Sequence, residues 1–162
     1  MNAALRTVAI DAAVWAVWGT VVGYAAHRLP RAMVARESWL TRPRRWERDG
    51  RRYERLGVRR WKRLLPDAGT VFPGGVSKRR LVGADVDALR RLAEETRRAE
   101  LVHWTVPALA PLFALWNPAL LTLAMIVYAV LANAPCLIVQ RYNRARLVRV
   151  IGRSRSREVV VA

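Results

Sequence analysis

"LVHWTVPALAPLFALWNPALLTLAMIVYAVLANAPCLIVQ", residues 101–140, decides the fold, because it contains no Asp, Glu, Lys or Arg. A transmembrane helix needs about 20 apolar residues, so this stretch is too long for a single crossing. Asn117 and Pro118 interrupt it, and Asn-Pro typically marks a turn. The stretch therefore predicts a transmembrane hairpin. Its first arm has only about 16 residues, which leaves a re-entrant hairpin as an alternative.

A second apolar run precedes the hairpin, since Arg6 and Asp11 are the only charged residues in the first 27. Its length predicts a transmembrane helix over residues 1–29. A cleaved signal peptide is the alternative, although the apolar region is long for that role. Gly19 and Gly23 stand one turn apart in this helix, and such small residues let helices approach closely. They would pack against the chain's own hairpin or, alternatively, form a homo-oligomer.

The basic residues flank these two runs. The chain carries 29 Lys and Arg against 12 Asp and Glu, and 28 of the basic residues lie in residues 28–100 and 141–162. The positive-inside rule places both segments in the cytoplasm and the amino terminus outside. We therefore expect an all-α integral protein of the plasma (inner) membrane with about three transmembrane helices. The predicted units are transmembrane helix 1 at 1–29, a basic, interfacial cytoplasmic helical segment at 30–100, the hairpin at 101–140, and a basic cytoplasmic tail at 141–162.

The cytoplasmic segment mixes arginines with aromatic residues. Residues 44–69 include Trp46, Tyr53 and Trp61 among many arginines. Trp and Tyr favour the headgroup level of a bilayer, and Arg can contact lipid phosphates. We expect short helices that lie on the inner leaflet and bind membrane lipids. Aromatic residues among arginines can also bind single-stranded nucleic acid, but the predicted spans lead us to expect no nucleic-acid partner.

"GADVDALRRLAEETRRAELVHW", residues 83–104, has the periodicity of a helix that enters the membrane. One stripe of this helix begins apolar and then becomes Thr96, Glu100 and His103. Ionisable groups that face a bundle interior at the membrane are costly and indicate function. A purely structural hydrogen bond between Glu100 and His103 is the alternative.

Another face of the same helix carries ordinary charge pairs. Asp87 precedes Arg91, and Glu94 precedes Arg98, by four residues. This spacing is typical of solvated pairs that support a helix. We therefore predict that Arg98 is exposed and that its replacement has a mild effect.

Common catalytic patterns are absent. The sequence contains no GxSxG, no HxxxxD and no HExxH motif, and its single Cys136 lies in an apolar run. One Glu–His pair without further ligands is too few for a zinc site, so we expect no metal and no cofactor. What remains is direct group transfer assisted by a histidine as general base.

Three stretches resemble a known family. They are "ETRRAELVHW" at 95–104, "YAVLANAPCLIVQRYNRARL" at 128–147 and, more weakly, "RRWERDGRRYERLGVRRWKRLLPDAG" at 44–69. In this order they resemble the glycosyl-4,4'-diaponeurosporenoate acyltransferases, membrane enzymes of staphyloxanthin-type carotenoid glycolipid synthesis. The resemblance implies acyl transfer from an activated fatty acid onto a sugar hydroxyl of a membrane glycolipid. We expect the active site to face the cytoplasm, with acyl-CoA or another activated acyl donor as substrate.

Within that resemblance, we assign roles by chemistry. His103 is predicted to be the base, Glu100 its orienting partner and Arg97 a contact to the donor phosphate. The other predicted substrate contacts are Thr96, Trp104, Asn143, Arg144 and Arg146, with Trp61, Lys62 and Asp67 at the rim. Two alternatives stay open: a non-catalytic membrane subunit that binds anionic lipids or a larger enzyme, and a metal-dependent membrane hydrolase.

Overall fold

The computed structural model describes residues 2–65 and 85–161, and every regular element in these two ranges is helical. The α-helices are α1 (Ala3–Arg28), α2 (Arg31–Ala35), α3 (Arg51–Arg55), α4 (Val58–Trp61), α5 (Val86–Leu109) and α6 (Ala119–Val161). The 3₁₀ helices are Arg45–Gly50, Lys62–Leu64 and Ala110–Leu115. The all-α prediction is therefore confirmed for the described part of the chain.

The hairpin turn lies at Asn117 and Pro118, where the sequence predicted it. The 3₁₀ helix Ala110–Leu115 follows α5, and the backbone N–H of Asn117 donates to the Phe113 carbonyl at 3.0 Å. Pro118 then precedes α6. The two long helices α5 and α6 run antiparallel and form the most extensive contact between elements of the fold.

Two helices are long and apolar enough to cross a membrane, judged by length and composition: Ala3–Arg28 and Ala119–Arg153. We expected about three. The predicted first arm of the hairpin is not a separate long helix, because residues 101–109 are the end of α5 and a 3₁₀ helix follows them. Pro107 lies inside α5 and Pro111 inside the 3₁₀ helix, and proline cannot donate the backbone hydrogen bond that continues an α-helix.

The helix α6 extends well beyond the apolar hairpin. It has 43 residues, which correspond to about 64 Å at the α-helical rise. Beyond residue 140, Leu147 is buried against Leu92 and Ala93 of α5. The α5–α6 pair therefore continues from the apolar stretch into the basic flanks without a break.

The helix α1 packs on the hairpin through aromatic side chains and one buried carboxylate. Trp15 and Trp18 lie 5.0 and 5.2 Å from the ring of the fully buried Phe113. Asp11, which is only 3% exposed, accepts hydrogen bonds from Trp116 Nε1 at 2.8 Å and from Asn117 Nδ2 at 3.0 Å. The Asp11 side chain therefore joins α1 to the hairpin turn.

At its other end α1 is capped by Arg98, contrary to the expectation of a solvated side chain. The Nη1 group of Arg98 donates to the carbonyls of Ala26, His27 (2.8 Å) and Leu29 (3.1 Å), and the side chain is 14% exposed. The last carbonyls of a helix lack partners within the helix, and a cation there also interacts favourably with the helix dipole.

The charge pairs that α5 forms also differ from the predicted ones. Glu94 pairs with Arg31 from the segment after α1, and its oxygen lies 2.6 Å from Arg31 Nε. Asp87 pairs with Arg90 at 2.9 Å. Residue spacing along α5 predicts only partners on the same helix. Glu94 instead pairs with a residue of the segment that follows α1.

Replacing Arg98 with alanine should therefore be destabilising. We expect the free energy of unfolding to fall by about 2–3 kcal/mol, because several carbonyls lose a charged donor. Thermal unfolding of the detergent-purified variant measures this effect. Arg90→Ala, which breaks an exposed pair, is the matched control. Equal unfolding midpoints for the two variants would contradict the cap.

Gly19 does not pack against the hairpin. It is exposed, and a Cβ atom built on it would meet no atom within 4 Å, whereas Gly23 is half-buried. The interpretation that Gly19 packs within this chain is therefore wrong, because α1 turns this position outward. A homo-oligomer through Gly19 and Gly23 stays a prediction.

Candidate active site between α5 and α6

Glu100 is the centre of a buried polar cluster. Its side chain is fully buried, and its two oxygens accept from Nη1 of Arg141 at 2.5 Å and from Nη1 of Arg144. Trp104 Nε1 contacts the same carboxylate at 3.4 Å. Arg144 is itself 1% exposed. A buried carboxylate between two guanidinium groups ties α5 to α6.

The cluster continues to the first 3₁₀ helix through Arg141. Its Nε donates to Glu47 at 2.7 Å, and its other nitrogens donate to the carbonyls of Leu40 and Arg42, each at 3.1 Å. Glu47 also accepts from the hydroxyl of Tyr53 at 2.5 Å. Carboxylates and guanidinium groups thus alternate, which is how charges become tolerable away from water.

Hydrogen bonding decides the ionisation of Glu47. Burial works to raise the pKa of Glu47, but the hydrogen bonds from Arg141 and Tyr53 outweigh it, so its pKa lies below the ordinary value of 4.5. Burial, and then the hydrogen bond to Glu47, raise the pKa of Tyr53. At neutral pH the carboxylate is therefore charged and the phenol neutral.

This pKa shift predicts an acid-sensitive structure. Because the folded pKa of Glu47 is depressed, ionised Glu47 contributes stability above the unfolded pKa of about 4.3. That contribution is lost as pH falls through the lower folded pKa. We expect the unfolding temperature of the parent protein to fall between about pH 5 and pH 3.

Glu47→Gln should be less stable at pH 7 and should lose less stability on acidification. Thermal unfolding across this pH range measures both effects. Asp87→Asn, at an exposed pair, is the control and should keep the parent pH dependence. An identical acid dependence for Glu47→Gln and the parent protein would contradict the prediction.

His103 lies one helical turn after Glu100 and is half-buried. Its Nδ1 lies 2.8 Å from Oδ1 of Asn133, and Nδ2 of Asn133 donates to the Ala129 carbonyl at 2.8 Å. The structure thus places Glu100 and His103 on one face of α5. It joins Glu100 to arginines and His103 to an amide of α6.

Two other predicted contacts on α5 have protein partners. Thr96 is fully buried, and its hydroxyl donates to the Ala93 carbonyl at 2.7 Å. Arg97 is 9% exposed, and it donates to the Ala35 carbonyl at 3.1 Å and to Glu37 at 3.2 Å. In this arrangement Arg97 holds the segment after α2 on α5. Contacts of these two residues with substrate stay predictions.

Two of the predicted contacts, Lys62 and Arg146, lie close to Tyr142. Lys62 Nζ lies 5.1 Å from the ring centre of Tyr142 and Arg146 Cζ lies 5.6 Å from it. The Tyr142 hydroxyl accepts from Arg146 at 3.2 Å and donates to Glu54 at 3.3 Å. Gly50 has a φ of 84° and approaches so closely that a Cβ there would lie 3.2 Å from the ring. A larger residue would therefore disturb this basic cluster, which we define as Lys62, Tyr142 and Arg146.

The structure describes two of the other predicted contacts, Trp61 and Asn143. Trp61 packs beside Tyr142 in a small apolar core, and its indole donates to the Leu56 carbonyl at 2.9 Å. Asn143 is half-buried on α6. Asp67 lies outside the described residues. Among the residues that the structure describes, no three His, Cys, Asp or Glu side chains are grouped so that they could hold a metal ion.

Sequence reasoning missed Glu47, Asn133 and Arg141 as members of the site. Asn133 carried the clearest signal, because it is a side-chain amide inside a charge-free apolar run. Arg141 is the first charge after that run and lies eight residues, or about two turns, from Asn133. The two residues therefore share the face of α6 that meets α5.

Comparisons with known proteins point to one family. A model of the family described as glycosyl-4,4'-diaponeurosporenoate acyltransferase matches residues 36–153. The protein of that name from Staphylococcus aureus strain USA300 is 36% identical over 94 residues, which are 58% of this chain and 56% of the relative. Its counterpart from strain MRSA252 is 35% identical over 94 residues.

The chain thus matches little more than half the length of these curated relatives, 56% of each. No solved structure matches it. The matched residues 36–153 nevertheless make up most of the chain and include α5, the hairpin turn and the cluster around Glu100 and His103. The chain therefore belongs to the glycosyl-4,4'-diaponeurosporenoate acyltransferase family.

Proposed function

We propose that this protein transfers a fatty acyl group from an activated donor to a sugar hydroxyl of a membrane glycolipid, such as a glycosyl carotenoid. The observation that carries the proposal is the imidazole of His103, which is bound to Asn133 at 2.8 Å beside the buried cluster of Glu100. The names of the matching relatives support the reaction type and the glycosyl carotenoid acceptor.

The reaction needs one proton to move. A sugar hydroxyl attacks the acyl carbonyl, and the new ester C–O bond forms while the bond to the leaving group breaks. His103 accepts the hydroxyl proton during the attack and then returns it to the leaving group. Such general base assistance typically contributes about 10²–10⁴-fold to a rate.

The acceptor reaches this base from the membrane. The apolar faces of α1 and α6 are exposed, as Val8 of α1 and Leu131 of α6 show, and they suit contact with lipid. A glycolipid held in the inner leaflet presents its sugar at headgroup depth. The proposal places His103 at that depth, where the charge-free run of residues 101–140 begins.

We propose three crossings, with the 101–115 segment as the third. Both ends of this part of the chain contact α1. Asn117 at the turn binds Asp11, and Arg98, just before the segment, caps the carbonyl end of α1. From Asp11 to His27, α1 covers about 24 Å. These contacts also support α1 as part of the functional protein. In the proposed topology, its amino terminus lies outside and the site lies at the cytoplasmic face.

We propose that the basic cluster contacts the acyl donor. Lys62 and Arg146 bring two positive charges to one ring, and cations at such a position suit the phosphates of acyl-CoA or a related donor. Asn143 on the next position of α6 would contact the donor or the headgroup. The donor would then approach from the cytoplasm and the acceptor from the lipid.

Residues 30–65 supply the surface that rests on the inner leaflet. Trp39 is 75% exposed with the Arg44 guanidinium 5.1 Å from its ring, and Leu64 is 84% exposed. Exposed aromatic and aliphatic side chains beside arginines favour the headgroup region. This observation also favours the second candidate function, a non-catalytic subunit that binds anionic lipids.

Lipid profiling of a deletion strain tests the proposal. We expect one glycolipid to lose a single acyl group, to regain it with the parent gene and not to regain it with His103→Ala. A lipid profile unchanged by the deletion would contradict the acyltransferase. Full rescue by His103→Ala would favour the non-catalytic subunit, and stoichiometric zinc or iron in the purified protein would favour a metal-dependent hydrolase.

A further inference from the structure

We infer that Asn133 is a positioning residue for the reaction: its amide holds neutral His103 with the hydrogen on Nδ1, so that Nε2 is the proton acceptor. The inference rests on the proposed function, because it names the nitrogen of His103 that acts as base. It deepens that function by assigning to Asn133 the orienting role that the sequence suggested for Glu100.

The orientation of the Asn133 amide follows from its helical neighbour. The Ala129 carbonyl lies 2.8 Å from the amide atom assigned as Nδ2, and a carbonyl can only accept a hydrogen bond. The –NH₂ group must therefore face Ala129. The amide oxygen consequently faces His103.

The tautomer of His103 follows from the amide. Oδ1 of Asn133 lies 2.8 Å from Nδ1 of His103, and an amide oxygen has no hydrogen to donate. Nδ1 must therefore carry the hydrogen. A neutral imidazole carries one N–H, so the lone pair that can accept a proton belongs to Nε2. When Nε2 is protonated, the same Nδ1–H bond becomes charge-assisted and stronger.

The location of Asn133 favours a functional role. An amide is costly in the hydrocarbon region, and residues 101–140 are free of charged side chains. Its –NH₂ group bonds to its own helix, while its oxygen is directed to the one histidine of the run. A hydrogen bond that merely joined two membrane helices would contribute little to stability, and its loss would not change the rate or the pH profile of the reaction.

The charges around His103 are already paired. Glu100, one turn away, is bound to Arg141 and Arg144 of α6. Other ionisable groups near α5 also have partners: Asp11 binds the hairpin turn, Arg31 binds Glu94, Glu37 binds Arg97, Glu47 binds Arg141, and Arg98 binds the carbonyl end of α1 next to His27. The contact of the imidazole with α6 is a neutral amide, so we expect substitutions of Asn133 to change the protonation of His103.

Nitrogen NMR tests the tautomer directly. His27 is the only other histidine, so the full-length His27→Gln protein labelled with ¹⁵N-histidine in nanodiscs reports His103 alone. We expect the neutral signal of a hydrogen on Nδ1. Asn133→Asp should keep that tautomer and raise the pH at which the ring titrates, because a carboxylate favours the imidazolium. In Asn133→Leu the preference should be lost.

The kinetic test uses the same variants. Asn133→Leu should lower the transfer rate about ten- to hundredfold, the range for one hydrogen bond to a group that becomes charged. Asn133→Asp should restore much of the rate and move the acid limb of the pH profile upward. Thr105→Val is the matched control, because the exposed Thr105 also bonds to the carbonyl four residues earlier in its helix.

Three outcomes separate the inference from the proposed function. A hydrogen on Nε2 in the spectrum of neutral His103 would overturn the tautomer at any activity. A parent rate and pH profile for Asn133→Leu would overturn the positioning role. If the spectrum shows the hydrogen on Nδ1 and Asn133 controls it, the tautomer holds, and a fully active His103→Ala variant would then overturn the role of His103 as base, and with it the positioning role of Asn133, but not the tautomer.

Discussion

His103→Ala should lower acyl transfer by about two orders of magnitude or more while the protein keeps its fold. The sugar hydroxyl would then attack without a base to take its proton. The half-buried imidazole bonds to one amide of α6, so its loss removes much less packing than the loss of a member of the Glu100 cluster. The rate of the detergent-purified variant, with saturating donor and acceptor, measures the effect.

The controls for this experiment separate chemistry from folding. Variants are compared at matched expression and matched thermal unfolding temperature. Thr105→Val lies two residues away on an exposed face and should keep the parent rate. If His103→Ala transferred acyl groups at the parent rate, His103 would have a structural role and the base would have to be sought elsewhere.

Glu100→Gln should show the opposite pattern, a large loss of stability. The substitution leaves Arg141 and Arg144 buried without the carboxylate that accepts from both. Breaking a buried ion pair on one side typically costs about 3–5 kcal/mol, because the remaining charge is uncompensated. We therefore expect much of the folded population to be lost, as thermal unfolding and the yield of monodisperse protein would show.

The sequence predicted Glu100 to be the orienting partner of His103, and in that role Glu100→Gln would keep its shape and lose activity through His103. The exposed Asp87→Asn is the control for removal of one carboxylate from α5. Parent-like stability together with a reduced rate would support the original expectation. A strongly lowered unfolding temperature would support the arginine cluster.

The fold was predictable where local chemistry determines it. Forty residues without a charge, an Asn-Pro turn and apolar runs with flanking arginines are each local features, and they correctly predicted helices and a hairpin. The effect of Pro107 was harder to judge. Whether a proline kinks a helix or ends it depends on what packs around it, and here a 3₁₀ helix takes over.

The candidate site was predictable only in part, because its partners are distant in sequence. The stripe of Glu100 and His103 follows from helical periodicity. The arginines that bind Glu100 lie 41 and 44 residues further on, and the register between α5 and α6 selects them. Arg98 shows the same difficulty: its partners are backbone carbonyls of α1, and no side-chain pattern marks them.

Because α6 is a single helix through Pro135, the thickness of a surrounding bilayer would affect the geometry of the candidate site. A membrane thicker or thinner than the apolar part of a helix changes the tilt of that helix. A change in the tilt of α6 would move Asn133, Arg141 and Arg144 together relative to α5. Transfer rates in nanodiscs of graded acyl-chain length should therefore peak at one thickness, at which the amide and the imidazole are in register.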